Sequence, residues 1–218
     1  MREVKEVLPA VRRPWQKNLK GWVLGLAWLW VFPRVVFYFW MRLWMGESAF
    51  LGACESIARV PGYRGQYQRL MFYKSLLRHC GENVFIGWGT VFSMREAAIG
   101  DRVYIGRNCN LGFAELRDDV MLADGVVVLS GGHEHSTDVS QGSMHDQKQS
   151  FRQVTIGQGT WVGTGAIVME SIGKECIIGA GAVVNRSIPD GAIAVGVPAK
   201  IVRYREGFSG QGFSDANA

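Results

Sequence analysis

Three of the four histidines in this 218-residue chain, His133, His135 and His145, fall in one polar stretch, residues 131–153, GGHEHSTDVSQGSMHDQKQSFRQ. An imidazole with a pKa near 6.5 can take a proton from an alcohol at neutral pH, so the chemistry on offer is general-base catalysis on a hydroxyl. His133 and His135, two residues apart, both qualify as the base, whereas His145 reads as a loop residue. A second set closes the chain: Lys200, Arg203 and Arg205, either a solvated basic tail or a group that pairs with phosphates. The four cysteines show no CxxC spacing, which argues against a zinc finger and against a disulfide scaffold.

A loop that does chemistry needs a rigid frame, and its flanks share a period of six. Aliphatic residues at i are followed by small residues at i+4: Ile99 and Val103, Ile105 and Cys109, Leu122 and Val126, then Ile156 and Thr160, Val162 and Ala166, Ile178 and Ala182. Six is neither a helical nor a strand period. It fits two-residue strands joined by tight turns, three edges closing one coil of a prism with residue i pointing inward. Glycine, 28 of 218 residues, runs at about twice its usual ~7%, and glycine at i+1 is expected to relieve strain at the turns. Cys109 and Cys176 fall at i+4, as small core residues rather than reactive thiols.

Four further motifs accompany the loop: Gly132-His133 at its start, Gly159-Thr160-Trp161-Val162-Gly163, Ile178-Gly179-Ala180-Gly181 with Ile188-Pro189, and Gly196-Val197-Pro198-Ala199-Lys200. With these the chain resembles the hexapeptide-repeat acyltransferases, and among them the galactoside, maltose and capsular-polysaccharide O-acetyltransferases. The resemblance covers roughly residues 84–205. It implies a mainly β fold, a left-handed parallel β-helix, assembled as a homotrimer with sites between prisms. It implies acetyl-CoA or another acyl-CoA as donor, and direct transfer to a hydroxyl without an acyl-enzyme. His133 matches the family's base and is favoured over His135. Trp161, Thr164, Ala180, Asn185, Arg186, Lys200 and Arg203 match positions that line the CoA groove, with Lys200, Arg203 and Arg205 toward the phosphates. Glu115 is a candidate for facing the acceptor substrate or orienting the histidine. From Val168 to Ile172 the step is four residues instead of six, a departure expected to alter the groove near the pantetheine arm.

The N-terminus departs from the soluble sugar acetyltransferases. Most of the net charge of +5 sits in residues 1–20, before an aromatic run, GWVLGLAWLWVFPRVVFYFWMRLWMG, over residues 21–46. Trp and Tyr favour the headgroup region, and neighbouring Lys and Arg attract anionic lipid. The expectation is one or two helices, kinked at Pro33, lying in or dipping into the cytoplasmic leaflet, with residues 1–46 as the membrane-contacting part. A spanning helix and a packing element between subunits are the alternatives. This places the protein at the cytoplasmic face of a bacterial inner membrane as a peripheral or monotopic protein. Residues 47–65 read as a linker, and 66–80 as an amphipathic helix closed by Gly81 with His79 in its last turn. The chain then divides into the arm and membrane-associated helices (1–65), the amphipathic helix (66–83), the β-helix (84–188) with its loop at 131–153, and a C-terminal tail contributing to the CoA groove (189–218).

The excluded classes follow from the same residues. A basic face confined to an N-terminal arm is not that of a nucleic-acid binder. A carbonic anhydrase of this fold needs histidines five apart on one face, and no HxxxxH occurs, so no metal is expected. A non-catalytic β-helix scaffold at the membrane is the alternative function, and it would not need a histidine-bearing loop. The acceptor class is a hydroxyl of a sugar, a polysaccharide precursor, a lipid-linked glycan or a lipid.

Overall fold

The six-residue period folds as short strands joined by tight turns and stacked into three parallel sheets, the faces of a prism. The computed structural model describes residues 14–132 and 149–208, with only the backbone described for residues 14–20. The first face holds β1 (His79–Cys80), β4 (Ala98–Ile99), β7 (Ala114–Leu116) and β10 (Val154–Ile156), continued by single bridges at Ile172 and Ile188. The second holds β2 (Phe85–Ile86), β5 (Tyr104–Ile105), β8 (Met121–Leu122), β11 (Trp161–Val162), β13 (Ile177–Ile178) and β15 (Ala192–Val195). The third holds β3 (Val91–Phe92), β6 (Asn110–Leu111), β9 (Val127–Val128), β12 (Ile167–Val168) and β14 (Val183–Val184). A final strand, β16 (Lys200–Tyr204), turns back antiparallel on β15. The left-handed parallel β-helix with a helical N-terminal segment is thus the fold of the chain.

The columns of the interior are the i residues. Ile86, Ile105, Leu122, Val162, Ile178 and Ala194 stack from coil to coil on the second face, all fully buried. Thr90 and Thr160 occupy buried i+4 positions and make the turn's hydrogen bonds internally. Thr160 Oγ1 donates to the Gly173 carbonyl at 2.8 Å and accepts the Cys176 N–H at 3.0 Å. Cys109 and Cys176 are buried small residues, as their positions imply.

The role of the i+1 glycine differs from expectation. It is not the strained residue: a β-carbon on Gly87 would lie 2.3 Å from the Gly106 carbonyl oxygen, and one on Gly163 would lie 2.5 Å from the Ala180 nitrogen. Those glycines let adjacent coils approach. The left-handed conformation falls two residues later, on Asn83, Arg102, Asp119, Gly159, Glu175 and Gly191 at the first corner, with φ between 57° and 68°.

Three helices cap the first coil. Residues 47–65 are not a linker, because α2 (Ser48–Ala58) buries Phe50, Cys54, Ile57 and Ala58 along one side. The amphipathic helix is α3 (Gly62–Leu76), so it begins and ends four residues earlier than 66–80. His79 and Cys80 belong to β1, and Gly81 packs against the Gly100 backbone. The chain leaves the helix at Leu77 because its backbone must enter the first sheet, where Arg78 N–H bonds the Arg95 carbonyl at 2.8 Å. Arg69 fastens α3 to the prism: its buried guanidinium donates to the carbonyls of Ile86 at 3.0 Å and Val60 at 2.7 Å.

The aromatic run forms one helix, α1 (Pro14–Met45), which continues through Pro33. Ala27, Val31 and Tyr38 are buried, flanked by the half-buried Leu24, Val35 and Met41. That narrow stripe lies on both sides of Pro33 and pins the helix to its neighbours, which explains why the proline does not break it. Arg34 donates to the Gln68 side chain at 3.3 Å and Arg42 pairs with Glu47 at 2.5 Å. The broad remaining face is apolar and outward, with Trp22 76% and Trp44 78% exposed. Its segment Gly21–Met45, 25 residues, is long and apolar enough to cross a membrane.

Candidate active site

The corners of the prism are not equivalent. Between buried i residues the chain takes six residues at every first corner, such as Ile99 to Ile105, and at every second corner, such as Ile105 to Leu111. At the third corner it takes seven from Phe92 to Ile99, five from Leu111 to Leu116, and four from Val168 to Ile172 and again from Val184 to Ile188. The four-residue step is therefore not a lone departure but recurs in the coil below. The polar segment 131–153 leaves at this same corner, between β9 and β10.

Its neck is held from both ends. The Arg152 backbone N–H donates to the Ser130 carbonyl at 2.7 Å, and Gly131 turns the chain outward with φ +101°. Ser130 Oγ accepts the Phe113 N–H at 3.0 Å, tying the exit to the coil above. Glu170, in the four-residue turn, forms an ion pair with the Arg152 guanidinium. Its Oε1 would lie 3.5 Å from a β-carbon on Gly132, the residue before His133. His133, His135 and His145 lie outside the described residues.

Beside the neck, on the third face, a cavity of about 360 Å³ is lined by Ser93, Met94, Asn110, Gly112, Ser130 and Phe151 among others. Asn110 is exposed there, with an amide able to donate and accept. Sequence reasoning missed both Asn110 and Glu170. The first is hidden as an ordinary outward strand position, while the second stands in a turn that draws notice only for its length.

A second concavity, about 240 Å³, lies on the second face and is lined by Tyr104, Met121, Asp124, Trp161 and Thr164. Trp161 projects outward from β11, 49% exposed, between Met121 and Ile177 of the neighbouring coils. Thr164 and Ala180 stack at the second corner, where the Gly181 N–H bonds the Thr164 carbonyl at 2.8 Å. Lys200 and Arg203 extend the same face on β16, opposite Val195 and Ile193. Asn185 and Arg186 are exposed after β14, at the third corner. One prism thus brings Trp161, Thr164, Ala180, Lys200 and Arg203 to one side and leaves Asn185 and Arg186 on another edge. Glu115 sits on β7 of the first face, where its carboxylate pairs with Arg117 at 3.3 Å and Arg78 at 3.8 Å.

The thiols are poor nucleophiles. Burial pushes Cys54 and Cys80 up to about 12 and raises Cys109 and Cys176 as well. The described cysteines therefore offer no thiolate for a covalent acyl intermediate.

No protein-family model matches the chain. A galactoside O-acetyltransferase of Lactococcus lactis is 30% identical over 172 residues, 74% of this chain and 79% of its own length. The chain belongs to the hexapeptide-repeat acetyltransferases. A galactoside O-acetyltransferase of Escherichia coli is 29% identical over 148 residues, 68% of its length. A probable acetyltransferase of Mycobacterium tuberculosis is 34% identical over 133 residues, and there the chain spans only 44% of the relative. A crystal structure of a maltose O-acetyltransferase from Clostridium difficile shares the fold of this acetyltransferase, with a TM-score of 0.64 at 21% identity over 76% of this chain and 91% of that one.

Proposed function

We propose that this acetyltransferase moves an acetyl group from acetyl-CoA to a hydroxyl of a sugar, a polysaccharide precursor or a lipid-linked glycan at the cytoplasmic face of a membrane. The observation that carries the reading is the neck of the 131–153 segment. Gly132, next to His133, follows the residue pair Ser130–Arg152 that closes the neck and lies near Glu170, while Ser130 and Phe151 on the two sides of the neck line the cavity that presents Asn110.

In this mechanism His133 takes the proton of the acceptor hydroxyl as its oxygen attacks the thioester carbonyl. The tetrahedral oxyanion is steadied by a backbone N–H, the C–S bond then breaks, and the proton passes from the imidazolium to the CoA sulfur. Asn110 hydrogen-bonds the acceptor in the cavity. Glu170 acts as a positioning residue for the loop. His135 is the second choice of base, and Glu115, already paired with two arginines, contributes charge on the first face.

The donor lies along Trp161, Thr164 and Ala180, with Lys200, Arg203 and Arg205 toward the phosphates. Asn185 and Arg186 sit on a different edge of the same prism, so a groove that uses both sets is closed by a second copy; the assembly is a homotrimer with three such grooves. The outward face of α1, rich in tryptophan and free of the arginines turned toward the protein, supports attachment to the membrane. Galactoside and maltose acetyltransferases among the similar proteins favour a sugar acceptor. Acetyl transfer from acetyl-CoA to a panel of galactosides, glucosides and lipid-extracted glycans, read as CoA release with product mass, tests the reading. No CoA release with any of them, together with no binding of CoA, argues for the scaffold instead.

A further inference from the structure

The cavity beside the neck of the 131–153 segment has a second end. It runs along the third face from Ser130, on the third coil, past Asn110 to Ser93 and Met94, which leave the first coil after β3. Neighbouring coils stand about 4.8 Å apart, so the two ends lie roughly 10 Å from each other. One end adjoins the histidine-bearing segment. The other lies under the helical cap, where α2 packs on β3.

At that upper end Met94 leads into Arg95, within the seven-residue step from Phe92 to Ile99. The Arg95 guanidinium reaches the underside of α1 and lies over the Tyr38 ring, 5.8 Å from its centroid. The side chain is half-buried, its Nε is buried with no hydrogen-bond partner, and it forms no hydrogen bond or ion pair with any described residue. A ring face favours the charge but accepts none of the five N–H donors, which need oxygen atoms in their own plane. The charged groups nearby do not serve. Arg42 and Glu47 neutralise each other, Arg69 donates to two carbonyls, and Glu96 is exposed to solvent. Arg95 is thus a cation with unused donors, set between the helix that carries the tryptophans and the cavity that would hold the acceptor.

We infer that the acceptor glycan carries a phosphate at its lipid end, and that Arg95 binds this phosphate while the sugar lies in the cavity toward Asn110. The inference rests on the acetyl-transfer reading of that cavity and on the membrane reading of α1. It narrows the acceptor to a glycosyl phosphate or diphosphate carried on a lipid. A planar, permanently charged fork suits paired phosphate oxygens, whereas an uncharged glycoside would leave it without a partner. A carboxylate on the sugar ring fits less well, because Arg95 stands at the end of the cavity where the linkage lies. The CoA phosphates are not the occupant: Lys200 and Arg203 are on β16 at the opposite end of the prism.

The test takes the sugar of the panel that is acetylated best and presents it as two acceptors, its citronellyl glycoside and its citronellyl glycosyl phosphate, which differ only in the phosphate. Both are offered to the full chain in a polyoxyethylene detergent, which brings neither sugar nor phosphate. The parent should favour the phosphate in kcat/KM by at least about tenfold, chiefly through KM. Arg95→Gln should bring that ratio to within about twofold of one, and Arg95→Lys, which keeps the charge without the fork, should fall between. The ratio is read on a single preparation, so partial misfolding of a variant does not move it. A parent without the preference, or a preference that survives Arg95→Gln, overturns the phosphate site and leaves acetyl transfer standing. Binding to phosphatidylglycerol vesicles that falls in Arg95→Gln while the acceptor ratio holds assigns the guanidinium to a bulk headgroup and also overturns it. No acetylation of any sugar in the panel overturns the acetyl-transfer reading and the phosphate site with it.

Discussion

Arg152 and Ser130, joined by a backbone hydrogen bond of 2.7 Å, bring the two ends of the histidine-bearing detour to one point on the third corner. A segment anchored at its neck loses less entropy on ordering its tip around substrate than one that hangs from distant attachment points. The Arg152 guanidinium and the Glu170 carboxylate add a second tie beside the first.

Glu170 should therefore matter to the loop more than its surface position implies. Glu170→Gln is expected to lower kcat about tenfold. Glu170→Asp, which keeps a carboxylate for the Arg152 guanidinium, should recover part of that rate. A lowered melting temperature with kcat unchanged in Glu170→Gln would instead make the pair a purely structural tie.

The separation of Asn185 and Arg186 from Trp161 within one prism makes the shared groove testable. His133→Ala and Arg203→Ala chains, each inactive alone, should regain measurable acetyl transfer when unfolded together and refolded into mixed assemblies, since some grooves then combine an intact histidine with an intact arginine. No recovery in mixed trimers confirmed by native mass spectrometry contradicts a groove built by two subunits.

How far the sequence could be read depended on the corner. At the first and second corners a buried aliphatic and a small residue recur every six positions, and the reading from Ile99 to Val128 and from Ile156 to Val184 needs nothing more. The third corner has no fixed length, so the paired four-residue steps at Val168 and Val184, and Glu170 within the first of them, stand out only once the coils are stacked. The helical cap was harder. Phe50, Cys54, Ile57 and Ala58 carry a helical stripe, but one only eleven residues long and rich in small side chains, which local pattern does not separate from a linker. Pro33 left one helix or two open, and packing of Val31 and Val35 on either side of it keeps α1 a single helix. Glycine at i+1 had the right position and the wrong cause, because contact with the next coil is invisible along one strand.

The two kinds of glycine predict opposite effects on stability. Gly87→Ala would force a β-carbon to 2.3 Å from the Gly106 oxygen and should cost at least about 1–3 kcal/mol in denaturant unfolding. Gly52→Ala, mid-helix and unobstructed, should gain about 0.5–1 kcal/mol. Equal effects at the two sites would contradict the close approach of the coils.

The outward face of α1 should decide where the protein resides. Each tryptophan moved from water into the interface is worth up to about 2–3 kcal/mol, so Trp22→Ser, Trp40→Ser and Trp44→Ser together should move most of the protein from the membrane pellet to the supernatant. Transfer to a small soluble acceptor should stay within about twofold of the parent. A parent chain that is monodisperse without detergent would instead make this face a contact between subunits.

The central claim is that a histidine at the third corner moves the acceptor's proton during acetyl transfer. It is tested most directly by measuring kcat for acetyl transfer and the Kd for CoA on the same preparations of the parent and of His133→Ala. The account predicts a loss of at least about a hundredfold in kcat, a smaller loss for His135→Ala, and a CoA Kd within about twofold of the parent in both. Near-parental kcat in His133→Ala, or full loss with His135→Ala and mild loss with His133→Ala, would contradict it.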